Sequence, residues 1–176
     1  MRRQVRGILA TVVAVGLMLA ALVAPAGART TGKESFKGVI VASGESGTRT
    51  VVSTLFVATG VFNGVGRVVE VQNRPGDPDN VSRDDLVFRQ GRIHILSTSG
   101  AGSPSLNPQT CVFKGRIEQT VKIQGGTGRF RHASGSFVGA VRAYGVAARA
   151  ADGSCSQELA PLLEDDVVSG RGHISI

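Results

Sequence analysis

The chain has 176 residues, 41% of them hydrophobic and 19% charged, a balance that fits a globular domain and excludes a disordered or collagen-like chain. Its length excludes a multidomain enzyme, and its formal net charge of +7 includes three arginines at the extreme N-terminus. Tryptophan is absent and aromatics total 5%, which disfavours a binder that stacks sugars or bases on exposed rings; the 24 glycines are about twice an average share.

Arg2, Arg3 and Arg6 precede an apolar run at 8–23 and the segment APAGA at 24–28. A basic start, an apolar stretch and a small-residue ending are the parts of a secretory signal peptide, with cleavage expected after Ala28. The apolar run is shorter than the roughly 20 residues needed to span a bilayer. The expected organisation is a signal peptide at 1–28, an N-terminal tail at 29–35 and one domain at 36–176. The protein is expected to be secreted, with no stable membrane insertion once the signal is removed. Without the three arginines the charge falls from +7 to +4, spread along the chain. Nucleic-acid binding calls for a basic stripe, and the sequence has none.

Apolar residues alternate with period two through most of the remaining chain. Strands are predicted near 36–42, 49–57, 65–72, 85–88, 92–97, 111–123, 136–148 and 167–176. The clearest is 111–123, where Cys111, Phe113, Ile117, Val121 and Ile123 share one face with Gly115, and Lys114, Arg116, Glu118 and Lys122 share the other. One dry side and one wet side describe an antiparallel strand. Gln90 and Gly91 mark a tight reversal. Segments 73–83 and 99–108 read as long connections, and 152–166 as a loop with one helical turn near 159–163. Asn80, Val81 and Ser82 form a glycosylation-type triplet, taken as a surface-loop marker. Strand count and turn chemistry predict an all-β barrel or sandwich around one core.

The two cysteines, Cys111 and Cys155, are expected to form a disulfide in an oxidising compartment; the alternative is two buried thiols. No cysteine–histidine spacing suggests a metal site, and no cofactor motif is present.

The segment GGTGRFRHASG at 125–135 reads as a strand end followed by a turn that needs glycine at Gly125, Gly126 and Gly128. Thr127 is placed to cap a short helical turn, Phe130 to plug one end of a barrel, and Gly135 to release the chain into the next strand. With LVFRQGRI at 86–93 and GVFNGVG at 60–66, this segment resembles the allene oxide cyclase barrel superfamily, which includes plant dirigent proteins, and its small secreted bacterial members in particular. The resemblance implies a closed antiparallel eight-stranded, calycin-like barrel whose cavity holds a flexible apolar molecule in one shape. No catalytic set carries over residue by residue. As a phosphate cradle GGTGR lacks the GK[ST] ending, so it is taken as structural.

The candidate proton carriers are Glu70, which shares a face with Val68; His94, out of phase with Ile93 and Ile95; and Tyr144, the single tyrosine. His132 and His173 read as solvated. No serine sits in a nucleophile elbow, so a hydrolase is disfavoured. Three functions stay open: a cofactor-free barrel binding a small apolar or amphipathic molecule, an isomerase or cyclase in the same barrel, and a non-enzymatic interaction protein whose barrel is filled by its own side chains. The wet outward residues of 111–123 point to a monomer.

Overall fold

The computed structural model describes residues 29–44 and 47–176, so the expected signal peptide at 1–28 lies outside the described residues. The strands are β1 (Thr31–Ser43), β2 (Thr50–Gly60), β3 (Gly64–Val71), β4 (Val81–Phe88), β5 (Gly91–Gly102), β6 (Ser105–Leu106), β7 (Val112–Gly126), β8 (Ser134–Val146) and β9 (Leu163–Ser175). A single 3-10 turn, Gly128–Phe130, is the helical element among the described residues. Strands neighbour one another in the order β5-β4-β3-β2-β1-β9-β8-β7, and a β5–β7 pairing closes the ring. The protein is therefore a closed antiparallel eight-stranded barrel, with β6 as a short addition beside β7.

Period-two alternation sets the inside and the outside, because successive side chains on a strand point to opposite faces. On β7, Ile117, Gln119, Val121 and Ile123 line the interior, while Lys114, Arg116, Glu118 and Lys122 are exposed. On β1, Phe36, Gly38, Ile40 and Ala42 alternate in the same way with outward residues. A one-residue register slip of any strand would exchange that strand's two faces, so the apolar pattern fixes the pairing. The outer surface is not uniformly polar, since Val167, Val39 and Leu55 lie in register across β9, β1 and β2 and are all exposed.

Four expectations need correction. The stretch 29–35 is not a tail: β1 begins at Thr31, which pairs with Ser175, and Glu34 is 3% exposed. Its polar composition hides a strand because its ladder partner is the last strand of the chain. Strand β4 begins at Val81, inside the expected 73–83 loop, where Val81 pairs with Thr98. The segment 99–108 is also not one loop, because β5 runs on to Gly102, with Ser99 opposite Gln119 and a bulge before Gly102 meets Ile117. No helical turn forms at 159–163. Pro161 has no N–H to give, Leu162 N–H donates to the Val146 carbonyl, and Leu163 opens β9.

One end of the barrel is packed shut. Phe130 is 0% exposed, with its ring 4.8 Å from Phe62 and 5.9 Å from Phe88; Phe62 also meets Phe36 edge-on. Ile93, Ile174 and Ala133 complete this floor. The 125–135 segment builds it, with Phe130 at the barrel end. Gly125, Gly128 and Gly135 have φ of 87°, 58° and 147°. A Cβ on Gly126 would stand 2.0 Å from the Arg92 carbonyl oxygen, so the turn passes too close to the β4–β5 hairpin for any side chain. Thr127 takes the cap position without capping: its hydroxyl accepts the Arg92 N–H at 3.1 Å, and its carbonyl accepts the Phe130 N–H.

Glu34 lies near this end. Its Oε2 accepts the Phe62 N–H at 3.1 Å, its Oε1 is buried without a partner, and burial raises its pKa from the usual carboxylate value. Cys111 and Cys155 form a disulfide with Cα atoms 5.3 Å apart, tying the start of β7 to the β8–β9 connection. Cys111 is the one non-glycine residue with positive φ, 59°, among the described residues.

Candidate functional site

Above the phenylalanine floor the interior is not filled. A cavity of about 530 Å³ is lined low down by Phe36, Phe56, Phe137, Leu86, Ile93 and Ile123, and higher by Ile40, Ile95, Val121 and Val168. That volume falls within the roughly 300–1,000 Å³ usual for small-molecule sites. Small residues at Gly139 and Ala143 keep the β8 wall thin.

The opposite end of the cavity is charged. Arg49, just before β2, is the hub: Nη1 donates to Glu70 Oε1 at 2.6 Å, Nε to Glu164 Oε2 at 2.6 Å, and Nη2 to Asp166 Oδ2 at 3.3 Å. Asp84 is the fourth acid, placed beside Glu70 by the β3–β4 register. Burial opposes the Arg49 charge, but Glu164 and Glu70 outweigh it and raise its pKa. Asp166 is 8% exposed, and its Oδ1 is buried without a hydrogen-bond partner. Burial, reinforced by Glu164 and opposed by Arg49, pushes Asp166 up to about 6. Burial and the nearby Glu70 push Asp84 up to about 6 as well.

The wall is weakest beside this cluster. Strands β2 and β3 pair only from Phe56 opposite Gly66 to Ala58 opposite Gly64. Beyond that the Thr54 hydroxyl bridges the gap, accepting the Val68 N–H at 3.0 Å, and the Arg49–Glu70 ion pair spans the strands near the rim.

The three sequence candidates are not brought together. Glu70 points inward with Val68, as its phase implies, but sits at the rim with a half-exposed side chain held by Arg49. Ile93 and Ile95 line the cavity, so His94 points outward, where Nδ1 lies 2.6 Å from Asp85 Oδ1 and Arg92 approaches the same carboxylate. Tyr144 is exposed on the outer face of β8, opposite Lys114 and Asp165. His132 and His173 are exposed.

Sequence reasoning missed Arg49, Asp84, Glu164 and Asp166. Asp84 and Asp166 belong to the doublets Asp84-Asp85 and Asp165-Asp166, in which either member could face inward; only the phase of Leu86 and Val168 selects Asp84 and Asp166. Among the described residues no group of three or more His, Cys, Asp or Glu is placed to hold a metal ion.

The two acids make stability pH-dependent. Their folded pKa values lie above the ordinary 3.8, so their protonated forms favour folding, and that contribution is lost as pH rises through about 6. Glu34 acts in the same direction. The barrel is expected to melt at a higher temperature near pH 5 than near pH 8, and the double change Asp84→Asn with Asp166→Asn to flatten the difference. Thermal melts across this range check it.

Compared with known proteins, the chain matches no family model, no curated protein and no solved structure. No helix among the described residues is long and apolar enough to cross a membrane, and the disulfide is compatible with an extracellular location.

Proposed function

We propose that this barrel is a secreted, cofactor-free binding protein that holds one small amphipathic molecule inside, apolar body on the phenylalanine floor and polar head at the Arg49 rim. The observation that carries the proposal is the cavity of about 530 Å³ with its lining segregated into an apolar depth and a charged mouth. A barrel filled by its own side chains would leave no such volume. The resemblance to the allene oxide cyclase barrel superfamily, resting on the 125–135 turn and the 86–93 hairpin, belongs to the same proposal.

Blocking the cavity tests it. Ala143 lines the wall opposite Asp166, so Ala143→Trp places an indole where the ligand would lie. An uncharged polarity-sensitive fluorophore is expected to bind wild-type protein saturably and the variant at least about tenfold more weakly. Val138→Trp, on the exposed outer face, is expected to change nothing. Equal binding by wild type and Ala143→Trp would place the fluorophore outside the barrel and remove the proposal's support.

An isomerase or cyclase is the second reading, and one observation favours it. Asp84 and Asp166 are cavity carboxyls poised near pH 6, able to give and take a proton where a substrate would sit, whereas His94 and Tyr144 face outward.

A further inference from the structure

The chemistry of the mouth narrows the ligand. Four carboxylates, Glu70, Asp84, Glu164 and Asp166, face a rim at which Arg49 is the central cation. Much of the donor capacity around them is already engaged, and the Ser82 hydroxyl lies 3.5 Å from Asp84 Oδ2. Each of the three Arg49 nitrogens donates to a carboxylate. Arg83 is gripped by Asp77 through two bonds of 2.7 and 3.0 Å and also reaches Gln124. Asn73 Nδ2 donates to the Val81 carbonyl, and Gln119 Nε2 to Ser99 Oγ. Acceptors remain in excess, and Asp166, which lines the cavity, keeps its Oδ1 buried with no donor at all. A buried polar atom left without a partner is costly, and the cost is removed by a ligand that brings the missing N–H.

Resting on the cavity-binding reading, we propose that the ligand is a cationic amphiphile: an apolar chain or ring body carrying a protonated amine, whose N–H groups bond the Asp166 carboxylate, with Asp84 on the same charged rim adding negative charge. An anionic head, such as a fatty acid's, would meet four like charges around Arg49. A neutral alcohol offers one donor and no charge.

The test uses the disulfide-intact barrel loaded with the uncharged fluorophore N-phenylnaphthylamine. Decylamine, decanol and decanoate, which share one tail, compete for it near pH 7.5, where both acids are ionised and the amine is protonated. Decylamine is expected to displace the fluorophore about tenfold more effectively than decanol, with decanoate the weakest. Asp166→Asn is expected to erase most of the amine's advantage while leaving decanol unchanged. The advantage is also expected to shrink as pH falls through about 6, with Arg49, Arg83, Glu70 and Glu164 the other charged groups facing the two acids. Decanoate equal to or better than decylamine, or an Asp166→Asn variant that keeps the amine preference, would overturn the amine assignment and leave cavity binding standing. Failure of the fluorophore and of all three decyl compounds to bind would overturn both.

Discussion

Phe130→Ala is expected to lower the free energy of unfolding by about 3–5 kcal/mol, the largest effect of any single side-chain truncation in this barrel. Phe130 is fully buried and packs against Phe62 and Phe88, which in turn reach Phe36 and, through it, Phe137. Removing one ring therefore opens the centre of an aromatic cluster that closes the barrel floor. The turn carrying it is braced by backbone, with the Phe130 N–H on the Thr127 carbonyl and the Ala133 N–H on the Phe130 carbonyl, so collapse into the void is restricted. Phe130→Leu should recover most of the loss, whereas Val138→Ala, on the exposed face, should stay within about 0.5 kcal/mol. Urea unfolding midpoints with unchanged slope measure all three. A loss under about 1 kcal/mol for Phe130→Ala would mean that the floor is not packed as described.

Breaking the disulfide is the second large effect. Cys111 and Cys155 are 44 positions apart, and a loop of that length is worth about 4 kcal/mol in the chain-entropy treatment. The bridge is reinforced locally: Arg149 donates to the Gly153 and Gln109 carbonyls, and the Ala147 N–H to the Cys111 carbonyl. Cys111 also adopts a left-handed backbone conformation, which favours glycine and which the bridge helps to hold. The Cys111→Ser, Cys155→Ser pair is expected to lose about 2–4 kcal/mol and to expose the 147–162 connection to proteolysis while the barrel strands stay protected. An unchanged unfolding midpoint would show that the connection is held without the bridge.

The barrel was legible because its strands are half wet and half dry. The alternation from Cys111 to Ile123 shows a core face before any partner is known, and Gln90-Gly91 and the 125–135 turn mark where the chain reverses. Phe130 could be assigned to a barrel end because a large apolar residue sits among turn glycines. Strand limits were harder to see. Thr31–Ser35 and Ser99–Gly102 look like loop by composition and become strand only because β9 and β7 offer free ladder edges.

Of the charged mouth only Glu70 was legible, for a physical reason. Arg49 meets Glu70, Glu164 and Asp166 across sequence separations of 21, 115 and 117, which the run of neighbouring strands β3-β2-β1-β9 brings to contact distance. The acidic doublets also carry no phase of their own. His94 and Tyr144 attracted notice as rare residue types, yet rarity says nothing about which face a residue takes.

Methyl NMR during titration of the protein with decylamine tests the interior site most directly. Shift changes are expected to concentrate on Leu86, Ile95, Val121, Ile123 and Val168, which line the cavity, while the exposed Val52, Val65 and Val138 stay still. Changes confined to the outer valines, or none anywhere at saturating ligand, would contradict binding inside the barrel.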